Sequence, residues 1–171
     1  MISPQGIASV PQLLNITANG SNFAIPLDKV CKVIPILELS ETGDDCNYIL
    51  GAANIFGEAI LVIDLCSRLG LARKNTYDLD AVILICELND IKYGLLVDKL
   101  KGVHSVSEND WRTCLESNEE DKSQPFFGII NLATTSTLLL KLEEIFPVNV
   151  KMSSTQTKIK ESILAIIKES A

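Results

Sequence analysis

Few residues in this sequence are of the types that usually carry catalysis or bind metal ions. His104 is the only histidine, so no second imidazole is available to complete a metal site. The cysteines lie 15 to 28 residues apart without a C-x-x-C pair, at positions Cys31, Cys46, Cys66, Cys86 and Cys114. Phosphate-loop, nucleophile-elbow and zinc-protease motifs are absent from the sequence. We therefore expect no enzyme, no cofactor and no metal centre.

The remaining titratable candidates have positions that favour structural roles. Asp28 and Asp98 occupy equivalent points in two similar segments, which predicts turn capping at both. Asp64 stands at the start of a short predicted helix, where a carboxylate accepts backbone N–H groups. Cys66 and Cys86 lie in apolar segments with no cation nearby in sequence, which is typical of unreactive thiols. His104 is expected in a strand or loop.

Composition and charge exclude further classes of function. With 47% hydrophobic and 22% charged residues, the chain is expected to fold rather than to be disordered. A net charge of −7 opposes binding to nucleic acid and to anionic lipid. The N-terminus lacks the pattern of a secretory signal, and no apolar run is long enough for a membrane span. We therefore expect a cytoplasmic protein with reduced thiols, without a nucleic-acid partner or direct membrane insertion.

The elements that must position any site are predicted to be mostly short β-strands. Leu, Ile and Val arrive in bursts bounded by Asn, Gly, Asp or Ser, at 13–17, 23–27, 59–65, 81–88, 93–97 and 137–142. Asn19-Gly20 predicts a two-residue hairpin turn with positive φ angles, and Asn89-Asp90 a similar one. A short helix is expected at 64–69, ending at Gly70, and a polar loop at 105–124.

The C-terminal segment has the pattern of an amphipathic helix. Ser153 and Gln156 fit a capping box, and one apolar stripe follows, formed by Ile159, Ile163, Ile166 and Ile167. Such a helix either docks on its own domain or serves as a handle for a partner. The sequence leaves both possibilities open.

The chain contains an internal duplication. A shift of 70 residues places FAIPLDKVCKV at 23–33 on YGLLVDKLKGV at 93–103 and superposes the two predicted hairpin turns. A second shift, of 77, places 51–65 on 128–142 and aligns Gly51 with Gly128. Each copy has the strand inventory of a small closed barrel, so we expect two barrels packed together.

These segments resemble the CheW-like domain of bacterial chemotaxis coupling proteins. The resemblance rests on F-A-I-P-L-D-K-V at 23–30, G-A-A-N-I-F-G-E-A-I-L-V-I-D-L at 51–65 and Y-G-L-L-V-D-K-L-K-G-V at 93–103. It covers residues 10–148, leaving an N-terminal tail at 1–9 and the C-terminal amphipathic helix at 149–171. The implied fold is all-β, with two intertwined and packed five-stranded SH3-like barrels and one short internal helix.

The resemblance implies a non-catalytic adaptor. Such a protein couples the cytoplasmic tip of a chemoreceptor to the regulatory domain of a CheA-type histidine kinase, in chemotaxis or pilus-based motility. The implied partner contacts are Val30, Lys32, Val33, Ile34, Gly51, Asn54, Phe56 and Gly57. For Gly51 and Gly57, a role as turn glycines is the alternative to direct contact.

Two departures from the family pattern fall within this predicted surface. Lys32 stands where the family usually has Glu, and Phe56 where it usually has Arg, so the chain resembles a divergent member. Lys32 is expected to be able to lie over the ring of Phe56. An aromatic residue at such a place is either newly buried or an anchor for a partner, and both options stay open. In the following strand, Leu61 stands where a Pro is often found.

Alternative functions have their own requirements. One alternative is a degenerate regulatory module of another two-component output. A small-molecule sensor would need a pocket with convergent polar groups, and a nucleic-acid binder would need a basic groove with stacking aromatics. Trp111, the only tryptophan, is expected either to pack under a loop or to anchor an interface.

Overall fold

A computed structural model describes residues 12–41, 47–71, 77–107, 110–114, 125–132 and 135–146, with the backbone alone for 111–114. Within these ranges the chain is mostly β. Its strands are β1 Gln12–Ala18, β2 Ser21–Pro26, β3 Val30–Pro35, β4 Ile49–Ile55, β5 Glu58–Asp64, β6 Val82–Leu88, β7 Ile91–Val97, β8 Lys99–Ser105, β9 Trp111–Cys114, β10 Phe126–Leu132 and β11 Thr135–Leu140. The helices are α1 Leu65–Arg68 and α2 Leu142–Ile145, and a 3-10 turn spans Leu27–Lys29.

The strands form two sheets. Sheet A has six strands in the order β8-β1-β2-β11-β10-β9, and sheet B has five in the order β3-β6-β7-β5-β4. All pairs are antiparallel except β2 with β11 and β5 with β7. The predicted all-β fold class with two β units is therefore confirmed, with one additional strand in sheet A.

The internal duplication is confirmed element by element. The shift of 70 residues carries β1 and β2 onto β6 and β7, and the shift of 77 carries β4 and β5 onto β10 and β11. Both predicted hairpin turns have positive φ angles, 50° and 76° at Asn19-Gly20 and 51° and 63° at Asn89-Asp90. The short helix α1 also has a repeat counterpart, α2, which the sequence comparison did not identify.

The two repeats exchange their first hairpins. Hairpin β1–β2 of the first repeat joins β8, β10 and β11 of the second, and hairpin β6–β7 of the second joins β3, β4 and β5 of the first. Each sheet therefore needs strands from both halves of the chain. We expect a deletion of either half to unfold the whole, because it removes part of both sheets.

Sheet B closes through the segment that follows β3. Ser40 forms an isolated antiparallel bridge with Ala52 of β4, and the N–H group of each residue donates to the other's carbonyl at 2.9 Å. The repeat counterpart of Ala52 is Ile129, which pairs with Thr113 of β9. The bridge thus occupies the place in sheet B that β9 occupies in sheet A. The prediction of a polar loop at 105–124 is wrong at β9, because this short strand completes the edge of sheet A.

The main core lies between the two sheets. It contains buried residues of sheet A such as Ile16 and Ile25, and residues of sheet B such as Leu84 and Leu95. Phe146, which follows α2, stacks on Tyr93 of β7 with ring centroids 4.7 Å apart. Apolar burial contributes roughly 25 cal/mol per Å². Because both sheets bury their apolar residues in this shared core, the stability of each sheet depends on the other.

Capping residues were largely predictable. Asp64 caps α1, since its Oδ1 accepts from the Cys66 N–H at 3.3 Å and its Oδ2 from the Ser67 hydroxyl at 2.7 Å. Asp98 Oδ2 accepts from the backbone N–H of Asn19 at 2.7 Å and so fixes the turn of the exchanged hairpin. Asp28 lies in the 3-10 turn, which has no side-chain cap hydrogen bond, so capping there stays a prediction.

Several predictions fall outside the described residues. These are the N-terminal tail at 1–9, the C-terminal helix at 149–171, Cys46, and the side chains of Trp111 and Cys114. The domain bounds of 10–148 likewise stay a prediction, although every described element lies within them.

Candidate functional site

Strand β3 lies at one end of sheet B and exposes apolar side chains. Within the described residues its only strand partner is β6. Val33 is 42% exposed, and Ile36 and Leu37, which directly follow the strand, are also exposed. Val30 and Ile34 are half-buried and pack against the core. A contiguous apolar edge of this kind is typical of a surface that meets another protein.

The turn between β4 and β5 presents Phe56 to solvent. Phe56 and Gly57 have φ angles of 52° and 84°, so both central residues of the hairpin turn are left-handed. Asn54 supports the turn, since its Oδ1 accepts from the Gly57 N–H at 3.0 Å. The Phe56 side chain is 82% exposed, which decides against the option that it is buried. A bulky residue in this backbone region is strained, and strain of this kind concentrates at functional positions.

Lys32 joins the strand and the turn. Its Nζ lies over the Phe56 ring, 4.0 Å from the centroid, and the predicted cation–π contact is confirmed. In a flat sheet, β3 and β4 would lie roughly 19 Å apart, four strand spacings of about 4.8 Å. The contact therefore exists because sheet B curls until its two ends approach. We call Val30, Lys32, Val33, Ile34, Ile36, Leu37, Asn54, Phe56 and Gly57 the β3–turn surface.

Gly51 has a different position from the other predicted contact residues. It is buried in β4, and a Cβ added to it would lie 2.5 Å from the Ser40 carbonyl oxygen. Its φ of 153° is also unusual for a residue with a side chain. Gly51 lets the Ser40–Ala52 bridge form beneath the β3–turn surface, so the structure gives it a supporting role. It is not a turn glycine, unlike Gly57.

Two pairs of polar side chains follow this surface in the sequence or adjoin its strand. Lys92 on β7 lies 2.9 Å from Glu58, and hydrogen bonding to this carboxylate raises the pKa of Lys92. The Cys31 thiol donates to Glu87 at 3.6 Å. Partial burial, together with that hydrogen bond and the negative charge of Glu87, raises the pKa of the Cys31 thiol. Among the described residues, the contact found for the Lys32 ammonium is with a ring rather than with a carboxylate.

The candidates for chemistry are dispersed. His104 is half-buried in β8, as expected for a strand residue, while Cys66 and Cys86 are buried in the core. Burial raises the pKa of the Cys86 thiol to about 12, which keeps it protonated and unreactive. Across the ranges that the structure describes, no three His, Cys, Asp or Glu residues are grouped to hold a metal ion.

Sequence reasoning missed part of this surface. The resemblance indicated Lys32, Val33 and Phe56, but it gave no role to Ile36 or Leu37, which extend the exposed apolar area. Their signal in the sequence was the unbroken run VIPIL at 33–37, which is too apolar for an ordinary exposed edge. None of the helices in the described portion of the chain is long and apolar enough to span a membrane.

Comparison with known proteins points to one family. The model of the CheW-like domain matches residues 12–150. Chemotaxis protein CheV3 of Helicobacter pylori is 26% identical over 125 residues, and chemotaxis protein CheW of Rhizobium meliloti is 24% identical over 100. These alignments cover 72% and 58% of this chain but only 40% and 64% of the respective relatives, so the chain spans less than two thirds of either.

Two further matches cover more of the protein that is compared with this chain. Chemotaxis protein CheW of Helicobacter pylori is 23% identical over 136 residues, covering 80% of this chain and 81% of the relative. Among solved structures, the scaffolding protein TtCheW from Thermoanaerobacter tengcongensis superposes with a TM-score of 0.73 at 23% identity. That superposition covers 82% of this chain and 95% of the other, and it supports the same fold.

Proposed function

Because the chain belongs to the CheW-like domain family, we propose that it is an adaptor that couples a chemoreceptor to a CheA-type histidine kinase. Membership of the CheW-like family and the likeness to the scaffolding protein TtCheW support the expectation that the chain is not an enzyme. The finer parts of the proposal are the partners, the regulatory domain of the kinase and the cytoplasmic tip of the receptor. The cytoplasm is the location that this function requires, and chemotaxis or pilus-based motility is the output.

The exposed Phe56 is the observation that carries the assignment of the contact surface. Its ring contributes little to the folded core because it is 82% exposed, and its φ of 52° adds strain to the turn. The Lys32 contact, about 0.5–1 kcal/mol at an exposed site, does not offset a strain of about 1–2 kcal/mol, so folding alone does not explain the residue. An exposed aromatic ring against Lys32, in a sheet whose β3 end also exposes Val33, Ile36 and Leu37, has the composition of an interface hot spot, where aromatic anchors dominate the binding energy.

The rigid setting of this surface suits a protein that holds its partners in fixed relative positions. Lys32 and Phe56 connect the two ends of a closed sheet, and the exchanged hairpins tie that sheet to its neighbour. A partner bound at the β3–turn surface of sheet B is therefore held in a fixed orientation relative to sheet A. Interfaces of about 800 Å² per partner span a wide range of affinities, and linkage in an array multiplies weak ones.

Titration against the regulatory domains of CheA-type kinases from the source organism tests the proposal. Isothermal calorimetry of the wild-type chain should show a complex with at least one of them. Phe56→Ala and Val33→Glu should each weaken it at least about tenfold, the loss of roughly 1.4 kcal/mol expected for a hot-spot residue. Ser21→Glu adds the same charge on the exposed start of β2 in sheet A and should leave the affinity unchanged.

Two results would count against the proposal. Absence of binding to every kinase regulatory domain contradicts the adaptor function. Binding that is unaffected by Phe56→Ala and Val33→Glu contradicts the assignment of the surface while leaving the adaptor function in place. Circular dichroism of each variant checks that the fold is retained.

A further inference from the structure

We infer that Lys32 makes the β3–turn surface selective for a partner that presents an Asp or Glu beside an apolar contact area. This inference rests on the proposed function, because it specifies the chemistry of the partner at the same site. It also predicts that a partner presenting Lys or Arg at that point is rejected. Lys32 would then be a specificity-determining residue of the adaptor.

Within the described residues, the Lys32 ammonium is positioned by a ring and has no carboxylate partner. The Phe56 ring at 4.0 Å attracts the cation through its negative face, yet a ring face carries no full charge to balance it. An ammonium group has three N–H donors, and a contact with one ring leaves donors available to a carboxylate. The side chain is exposed, so those donors are accessible to an approaching protein.

Lys92, a neighbouring cation on β7, is less available to an acidic partner than Lys32 is. Lys92 is already bridged to Glu58 at 2.9 Å, and Glu87 accepts from the Cys31 thiol. A carboxylate that docks beside Phe56 would therefore find Lys32 the more available of these two ammonium groups. The contact with Phe56 holds the ammonium beside this exposed ring.

The net charge of the chain does not decide the sign of a close contact at Lys32. The protein carries −7 overall, but the Debye length of about 8 Å at physiological ionic strength screens charges farther away. Docking on Val33, Ile36 and Phe56 excludes water around Lys32, which strengthens a charge pair there. A cation facing Lys32 in the same setting suffers a penalty, and such repulsion is how interfaces reject wrong partners.

Zero-length crosslinking gives a direct test. The probe is the kinase regulatory domain that binds the wild-type chain, mixed with it and treated with a carbodiimide, which joins amines to carboxylates in contact. Mass spectrometry should find Lys32 joined to an Asp or Glu of the partner. Lys141 provides a matched control, because its Nζ also lies over a ring, that of Phe127 at 5.3 Å, away from the β3–turn surface.

Charge variants give the energetic counterpart. Lys32→Arg keeps the charge and the stacking on Phe56 and should keep the affinity. Lys32→Glu should lower the affinity about tenfold at 0.05 M salt and much less at 0.5 M, since exposed pairs are screened. Lys141→Glu changes the net charge equally and should have no such effect.

The outcomes separate this inference from the proposed function. A wild-type complex in which Lys32→Glu behaves like Lys141→Glu, and in which Lys32 forms no crosslink, overturns the inference and leaves the adaptor function standing. A complex that Lys32→Glu strengthens overturns it as well, since the facing group would then be a cation. Failure of the wild type to bind any kinase regulatory domain overturns both.

Discussion

Replacing Phe56 by Asn should separate what the β4–β5 turn does for folding from what it does for binding. Phe56-Gly57 has two left-handed residues, as do the turns Asn19-Gly20 and Asn89-Asp90. Both of those turns begin with Asn, whose short polar side chain tolerates positive φ better than a bulky ring. The substitution therefore supplies a residue that the chain itself uses twice at the same point of a hairpin.

Two opposing contributions set the expected change in the free energy of unfolding. A residue other than glycine in the left-handed region costs about 1–2 kcal/mol, and Asn recovers part of that cost. Loss of the Lys32 contact removes about 0.5–1 kcal/mol, the value of a cation–π pair at an exposed site. Burial contributes little because the ring is 82% exposed. The free energy of unfolding should therefore stay unchanged or rise by up to about 1 kcal/mol.

Urea denaturation and calorimetric titration of the same variant measure both properties. Phe56→Asn should fold at least as stably as the wild type while binding the kinase regulatory domain at least about tenfold more weakly. The reverse change, Asn19→Phe, should destabilise the chain by up to about 1–2 kcal/mol, because it adds to the strain of a turn in sheet A. A loss of more than about 1 kcal/mol in Phe56→Asn would show that the ring supports the fold, and the reasoning from strain to function would then be refuted.

Three further perturbations probe the scaffold beneath the surface. Gly51→Ala places a Cβ 2.5 Å from the Ser40 carbonyl oxygen and should cost about 2–5 kcal/mol in urea denaturation, from strain and two weakened hydrogen bonds. Gly20→Ala, at φ 76° with open space around it, should cost only about 1–2 kcal/mol, and equal losses would contradict the role of the clash. Arg68→Met should cost about 2–3 kcal/mol, because the guanidinium donates to the carbonyls of Glu144 at 2.7 Å and Ile145 at 3.0 Å; an unchanged urea midpoint would mean that this link between the repeats is not needed. Burial raises the pKa of Cys86 from 9.0 to about 12, so the folded state keeps a proton that the unfolded state loses above pH 9. Because of this group, the free energy of unfolding should fall between pH 9 and 12 by up to about 1.4 kcal/mol per pH unit. In Cys86→Ala the fall should be less steep. An equal pH dependence of stability in the two proteins would contradict the raised pKa of Cys86.

The duplication could be predicted because short sequence patterns repeat along the chain. The Asn19-Gly20 and Asn89-Asp90 turns, and the apolar bursts around them, lie at matching points 70 residues apart and fold into matching hairpins. The exchange of these hairpins between the sheets could not be predicted in the same way. Pairing of β1 with β8 instead of β3 depends on long-range packing, and both pairings satisfy the same apolar alternation.

Part of the candidate surface could likewise be predicted from the sequence, and part could not. Resemblance placed Lys32 and Phe56 near each other, and the length of a lysine side chain made the cation–π contact a reasonable expectation. The exposure of Ile36 and Leu37 and the close approach of Ser40 to Gly51 depend on how the chain leaves β3. That path is set by closure of the sheet, which no local pattern around these residues specifies. β9 was missed because four residues in a long polar stretch give too short a signal for a strand.

A crystal structure of the chain in complex with the regulatory domain of its CheA-type kinase tests the central claim most directly. The account predicts that atoms of the kinase domain lie within about 4.5 Å of Val33 and Phe56, with a carboxylate of the partner at hydrogen-bond distance from the Lys32 ammonium. A complex in which the kinase domain docks elsewhere and leaves the Phe56 ring exposed to solvent would contradict it.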